Sequence, residues 1–527
     1  MAQKIFITFF ILFLAFITRF YLLGSAPAGL YLDEAGQGYS AYSLLKTGAD
    51  EFGKTFPIIF RSFTDFKTPV YIYLIVPLIP VFGLTPLAVR LPSAVFSLLT
   101  FPVLFYLCYR LTRNYRLSAI SCLLLAISPW HILFGRTNFE CNVALFFLLT
   151  GILYFYKALQ NPKHLYLSAL MFAIAVPAYH SQRIITPLVV LFLVFSHRHE
   201  LLATSYKPYL KKAFLIGLLI SLPTLSVLNT PGFLARASTL NIFANQSFLS
   251  AIREFFSLYF SYLSPRNMFF LGDYGPRSSF PQLSTFFFWQ LPFYFYGLYK
   301  LLKSKIVSHI SIFLFLLLVS PIPAALTRDP YSSIRALPLV IPQIFIISYG
   351  IYFYFKNLKS YLLSHISLLI FPILIIFSLG KLYSSGIILN EYHRASYWDY
   401  GWNQVANVLK TRPAGMPVVV DSARNEPYIH LLFFLKFDPQ TYVRDNFEVD
   451  PADYYTDLSR LSVRKIGNIS VRGINWTEDS KIDQYLVGDA LAISEDQIKR
   501  HHMELISVIK YPDGSPVFRI AKTAPDK

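Results

Sequence analysis

KIFITFFILFLAFITRFYLLGSAPAGLYLDEAG, residues 4–36, holds the pattern from which the rest of the chain is read. Residues 5–23 form an apolar run long enough to cross a bilayer as a helix, which takes roughly 20 residues. About ten residues beyond it, two acids stand side by side, Asp33 and Glu34. One lysine ahead of the run, and its length, argue for a retained span rather than a cleaved signal peptide, even with Ala26-Pro27-Ala28 following.

Apolar runs recur near 86–109, 118–134, 141–159, 165–180, 184–196, 213–229, 284–301, 306–326, 336–355 and 361–380, so eleven spans are expected. The stretch 69–83 is apolar but broken by Pro77 and Pro80, and reads as a helix lying at the interface. Composition agrees: of 527 residues 54% are hydrophobic, 17% aromatic and only 14% charged, against roughly 25% charged in soluble domains. A disordered chain, a disulfide scaffold and a cytosolic globule are excluded. Cys108, Cys122 and Cys141 all lie in apolar runs, which supports no disulfide framework.

The net charge of +18 is unevenly placed. Residues 1–390 hold 10 acids and 30 bases, while the last 137 residues hold 19 acids and 17 bases. This predicts a polytopic α-helical membrane domain over 1–390, followed by a small soluble α/β domain over 391–527. Lys4, Arg110, Arg113, Arg116, Lys157, Lys163, the basic cluster from His197 to Lys212, Lys300, Lys303, Lys305, Lys356 and Lys359 mark the cytoplasmic side. The N-terminus is then cytoplasmic and, with eleven spans, the C-terminal domain extracytoplasmic.

On this topology nine of the ten acids of the first 390 residues face outward: Asp33, Glu34, Asp50, Glu51, Asp65, Glu140, Glu254, Asp273 and Asp329. Acids at the hydrocarbon boundary are costly unless paired or wet, so the set points to an outward-opening polar chamber. The plainer reading, that acids simply avoid the basic inner face, fits Asp50, Glu51 and Glu254 best. Adjacent carboxylates such as Asp33 and Glu34 point in different directions: one meets substrate, the other orients a neighbour or a metal. Ser40 to Lys46 reads as a short helix ended by Gly48, and Asp65-Phe66-Lys67-Thr68-Pro69 puts a cation at the membrane lip, suited to a lipid phosphate or to snorkelling.

Further outer constellations are Pro129-Trp130-His131 leading to Arg136 and Glu140, Tyr179-His180-Ser181-Gln182-Arg183, and Arg328-Asp329-Pro330-Tyr331 with Arg335. Arg136 and Glu140 lie at i,i+4 and pair if helical. Each arginine alone is an ordinary anchor, but Arg90, Arg136, Arg183 and Arg335 all fall at outer ends of spans, consistent with a shared anion site, where guanidinium forks grip phosphate. His309 and His365 lie at inner ends, and His501-His502 in the soluble tail. No HExxH, paired CxxC, EF-hand, Walker or GxGxxG motif occurs, so a nucleotide donor has no support and a divalent metal ion is left open as a cofactor. Asn-x-Ser/Thr matches at Asn245, Asn468 and Asn475 carry no weight. In the tail a helix ending at Lys410, a strand over 417–421, a helix over 427–435, a strand over 465–471 and a pair over 505–510 and 517–521 are expected.

With these residues in view, the chain resembles the bacterial membrane glycosyltransferases related to protein O-mannosyltransferases and lipid A aminoarabinose transferases, the GT-C class. The similarity covers most of 1–390. It rests on Asp33-Glu34 after span 1, on Lys67-Thr68-Pro69, on Leu84-Thr85-Pro86-Leu87-Ala88-Val89-Arg90-Leu91-Pro92 opening span 2, and on Ser128-Pro129 through Arg136. It implies a sugar, hexose or pentose, taken from a polyprenyl-phosphate donor and passed to a protein, lipid or glycan acceptor outside the cytoplasmic membrane. It also implies Asp33 as base with Glu34 beside it, and Lys67 and Arg183 on the carrier phosphate. The family's second carboxylate after span 3 is often Asp, and here Glu140 stands for it. An inverting displacement follows, with Arg335 and His180 as further polar contacts. The alternative is a transporter or lipid flippase, against which the charge-free span centres argue. A non-catalytic scaffold carrying an outer sensor domain is a third reading.

Overall fold

The computed structural model describes residues 2–523 apart from 245, 305–309, 329, 359–360, 425, 447–452, 457–458 and 460–462. Asn245, Lys305, His309, Asp329 and Lys359 therefore lie outside the described residues. The chain forms two compact units. One holds Met1–Tyr21, Leu91–Asn229 and Leu234–Gly386, and the other Leu22–Arg90, Thr230–Phe233 and Ile387–Lys527. The division thus falls at 386/387 rather than 390/391, and residues 22–90 group with the C-terminal residues instead of with the spans.

Helices make up the first unit. Across the described chain six helices are long and apolar enough to cross a membrane: Ala2–Phe20, Pro86–Thr112, Glu140–Ala158, Lys207–Ser226, Leu337–Asn357 and His365–Trp398. Tyr115–Ile127 and Pro129–Arg136, bent by 59°, make a seventh when taken together. Other expected spans fold as shorter helices: His164–Ala178 and Gln182–Ser196 with 15 residues each, Leu291–Leu302 with 12, and Ser311–Val319 followed by Ile322–Ala325. Large apolar side chains lie bare on the long helices, Phe214 at 73% and Ile376 at 68% exposure. Contiguous apolar surface of that kind faces lipid rather than water. The protein is a multi-pass helical membrane protein.

The 59° bend has a physical cause and a physical repair. Pro129 has no N–H and ends the incoming helix, leaving carbonyls without partners. Ser128 Oγ accepts the His131 N–H, restarting the helix. Fully buried Arg19 spreads its guanidinium over the loose end, donating to Leu125 O and Ala126 O at 2.8 Å each, to Ser97 Oγ at 3.1 Å and to His131 Nδ1 at 2.9 Å. Arg136, only 4% exposed, likewise donates to Thr18 O and Tyr21 O at the end of the first span.

The second unit contains the helix Leu32–Thr47, a hairpin of β1 (Phe60–Ser62) and β2 (Asp65–Lys67), and a six-stranded sheet. That sheet comprises β3 (Val418–Val420), β4 (Arg464–Ile466), β5 (Ile469–Val471), β6 (Tyr485–Asp489), β7 (Glu504–Lys510) and β8 (Pro516–Lys522), in the order β4-β5-β3-β6-β8-β7. Central β3 runs parallel to β5 and β6, and the other pairings are antiparallel. All three valines of β3 are buried, as a parallel strand covered on both faces requires. Val419, Leu486, Ile493, Met503 and Ala521 form a core under the sheet. The helices Trp402–Lys410 and Pro427–Leu435 match the expected ones. The single strand expected over 465–471 is instead a hairpin, because Gly467 (φ +61°) turns the chain back.

Replacing Arg19 by Met should strand the Leu125 and Ala126 carbonyls and cost about 2–3 kcal/mol. Detergent-solubilised protein should then melt several degrees lower, and an unchanged melting temperature would show that the bend does not need the guanidinium.

Candidate active site

Asp33 and Glu34 fall in the first turn of the Leu32–Thr47 helix, where carboxylates suit the positive end of the helix dipole. The helix starts well before the expected Ser40, and ends at Gly48 (φ +74°), whose N–H bonds to Leu44 O. Tyr31, the residue before it, offers no side-chain cap. Glu34 bends back to accept the Tyr31 N–H at 3.2 Å. On the far side of the helix small residues let the backbone approach: a Cβ on Gly38 would stand 2.7 Å from both Phe433 and Val89. The Tyr39 hydroxyl donates to Phe437 O at 2.9 Å.

The two acids have separate partners. Glu34 is 2% exposed and held bidentately by Arg90, Nε to Oε1 at 2.9 Å and Nη2 to Oε2 at 2.8 Å. The rest of Arg90 donates to Leu23 O (3.4 Å), Pro27 O (3.0 Å) and Gly29 O (2.8 Å). All five N–H groups are thereby engaged, and the side chain is fully buried. This corrects the expectation that Arg90 binds a phosphate: it is the anchor of Glu34. It also corrects Glu34 as a group that meets the reacting atoms, because a buried, bidentate carboxylate orients the helix instead. Arg136 gives two of its donors to Thr18 O and Tyr21 O at the end of the first span. Arg136 and Glu140 do not share one helix, since one helix ends at Arg136 and the next begins at Glu140.

Asp33 is different. Its carboxylate is 23% exposed and its Oδ1 lies 2.9 Å from Lys67 Nζ, whose side chain is only 8% exposed. Lys67 reaches this place because β1 and β2 pair with Phe60 opposite Lys67 and Ser62 opposite Asp65, with Phe63 (φ +60°) in the turn. Phe66 stacks edge-on against Tyr454 at 5.8 Å, and Pro69 opens the next helix, so the chain on either side of Lys67 is fixed. A long amine is thus held out of water against a partly wet carboxylate.

Other acids expected to face outward have structural work. Asp50 accepts the N–H groups of Phe52 and Lys54 at 3.0 Å and the Tyr454 hydroxyl. Glu51 takes the Ser40 hydroxyl at 2.5 Å. Asp273 takes Ser333 N and Oγ at 2.7 Å, and Glu254 faces Gln246 at 2.7 Å. Burial, then the neighbouring Asp50 charge, pushes the Glu51 carboxyl up to about 8. Glu140, His180, Arg183 and Arg335 belong to the other unit. Glu140 is a buried first residue of its helix, His180 and Arg183 are half-buried at the turn into Gln182–Ser196, and Arg335 is half-buried with Nη1 donating to Thr327 Oγ1 at 2.7 Å. Among the described residues no three His, Cys, Asp or Glu side chains cluster to hold a metal ion. An ammonium already neutralises Asp33, so this donor set does not fit a divalent cation.

Sequence reading missed Asp399, whose Oδ2 accepts the Leu32 N–H at 3.0 Å. Its signal was an acid in Trp398-Asp399-Tyr400-Gly401, a stretch that adopts positive φ at Asp399 and Gly401.

The comparisons with known proteins agree with this architecture. A family model described as dolichyl-phosphate-mannose-protein mannosyltransferase matches residues 66–226. No curated protein matches the chain. Among solved structures, apo ArnT from Cupriavidus metallidurans is similar at TM-score 0.55 and 12% identity, over 98% of this chain and 97% of that one. ArnT from the same organism bound to undecaprenyl phosphate gives 0.54 and 13%, over 98% of each chain. The Archaeoglobus fulgidus oligosaccharyltransferase tethered to an acceptor peptide gives 0.50 and 11%, over 100% of this chain and 74% of that one. The expected resemblance to GT-C class membrane glycosyltransferases is borne out in the family match over 66–226 and in the fold.

The raised Glu51 carboxyl makes stability depend on pH. The folded state holds the proton more tightly than the unfolded one, so stability is highest below the ordinary value of 4.5 and falls as pH rises toward 8. Glu51→Gln should leave the melting temperature nearly unchanged at pH 5 and raise it relative to the parent at pH 8. Equal shifts at both pH values would contradict the assignment.

Proposed function

We propose that this protein transfers a sugar from a polyprenyl-phosphate carrier to an acceptor hydroxyl on the outer face of the cytoplasmic membrane. The observation that carries the reading is the 2.9 Å pair of Asp33 and Lys67. A fold relative bound to undecaprenyl phosphate supports a lipid-linked donor. The excess of bases in the short loops on one side supports a cytoplasmic N-terminus and an extracytoplasmic C-terminal region.

Breaking a sugar–phosphate ester needs a base for the incoming hydroxyl and a cation for the departing oxygen. In the proposed step the acceptor O–H proton passes to an Asp33 carboxylate oxygen. The acceptor oxygen forms a bond to the anomeric carbon from the face opposite the phosphate. The carbon–oxygen bond to phosphate breaks with its electron pair on the phosphate oxygen, and the anomeric configuration inverts. Lys67 turns from Asp33 to the leaving phosphate. Glu34, held by Arg90, fixes the helix that presents Asp33. Glu140 is assigned to the acceptor side. The eleven-span topology belongs to this reading, with the shorter apolar helices completing the bundle around the isoprenoid tail.

Purified full-length protein in lipid nanodiscs, given a panel of undecaprenyl-phosphate sugars and cell-envelope acceptors, should release free undecaprenyl phosphate. Asp33→Asn should lower release by about 100-fold or more, and Lys67→Met by a similar factor, with expression and membrane insertion intact. Undiminished release from Asp33→Asn would overturn the assignment of the base.

A further inference from the structure

The start of the helix carrying Asp33 is unusual in how its first N–H groups are satisfied. A helix leaves its first four N–H groups without internal partners, and a side chain just ahead normally supplies an oxygen. Tyr31 supplies none. The Tyr31 N–H goes to Glu34, and the N–H of Leu32, the residue adjoining Asp33, goes to Asp399, more than 360 residues further along the chain. A carboxylate there also meets the positive end of the helix dipole.

Asp399 is itself held with little freedom. It is 2% exposed and left-handed (φ +49°) at the end of the turn Ala395–Trp398, a conformation that aspartate tolerates better than most residues. His430, fully buried, brings Nε2 within 3.6 Å of Asp399 Oδ2. The His430 ring lies parallel to Trp402, with centroids 5.5 Å apart and planes at 4°, and Trp402 packs on Phe518 of β8. Just before the helix, Gly29 runs so close to the Trp398 carbonyl that a Cβ would come within 2.2 Å of that oxygen. The Gly29 carbonyl is at the same time taken by Arg90. The sheet, through Trp402 and His430, therefore reaches the residue next to the proposed base by a continuous series of buried contacts.

We infer that Asp399 is a positioning residue for the transfer: a helix cap supplied by the C-terminal region that fixes where Asp33 stands, with His430 packed beside the cap. The inference rests on the reading of Asp33 as the base. It assigns the C-terminal region a part in turnover rather than in acceptor choice alone. A base displaced by about 1 Å can lose on the order of 100-fold in rate, while the donor's affinity depends on other groups.

The test uses full-length protein in nanodiscs, with the undecaprenyl-phosphate sugar that turns over fastest in the panel. Asp399→Ala should lower kcat by about 10–100-fold with KM for the donor within about 2-fold. Asp399→Asn, which keeps an oxygen for the Leu32 N–H, should recover most of the rate. Amide exchange in the peptide containing Leu32 should accelerate in Asp399→Ala and stay near the parent in Asp399→Asn. Asp479→Ala, which breaks the Arg472–Asp479 pair within the sheet region, serves as the comparator and should leave kcat unchanged. Parent-like kcat in Asp399→Ala, an equal loss in Asp479→Ala, or a loss in KM alone would each overturn the inference. Asp33→Asn, measured in parallel, separates the two claims: if it is active the base assignment fails, and if it is inactive while Asp399→Ala is parent-like only the cap fails.

Discussion

A carboxylate and an ammonium 2.9 Å apart, one partly wet and the other almost wholly buried, set the conditions that the surrounding structure has to meet. Keeping a lysine amine out of water is costly unless an anion stands opposite it. The helix that offers Asp33 and the hairpin that offers Lys67 must therefore be held in register with each other. The Arg90–Glu34 clamp, the Phe66–Tyr454 contact and the Asp399 cap all act on one side or the other of that pair. Losing either member of the Arg90–Glu34 pair would leave a buried charge uncompensated, at about 3–5 kcal/mol.

Such a pair is also a store of reactivity. Lys67 and Asp33 hold one another at 2.9 Å. In the proposed reaction an arriving phosphate competes for the ammonium, and the carboxylate it releases is then available to a hydroxyl. Binding of the carrier thus produces the base in the proposed reaction, and premature attack by water is disfavoured because the carboxylate is neutralised until the donor is in place.

The long apolar runs were legible because burial in lipid demands near-continuous apolarity, a signal hard to imitate. Proline-broken segments were less so: Pro177, Pro187 and Pro223 lie inside helices, whereas Pro129 marks a 59° bend. Which outcome follows depends on a partner such as Arg19, lying more than 100 residues away. In the second unit, Asp33 and Lys67 stood out because the first 390 residues hold only 10 acids and these two flank the membrane edge after the first apolar run. Arg90 and Arg136 looked equally suited to phosphate, but every Arg90 donor is taken by carbonyls and by Glu34, and that saturation is a property of the folded chain. Asp399 stood in a turn-forming stretch, but nothing local tied it to Leu32, which lies far back in the sequence. The grouping of 22–90 with the C-terminal residues follows from the same long-range contacts.

The most direct test of this account is a cryo-EM structure of the full-length protein in nanodiscs with undecaprenyl phosphate bound. The account predicts a phosphate oxygen within hydrogen-bonding distance of Lys67 Nζ, the Asp33–Lys67 pair opened, and Asp33 facing the space beside the phosphate where a sugar carbon would lie. A phosphate bound away from Lys67, with the ion pair still closed, would contradict it.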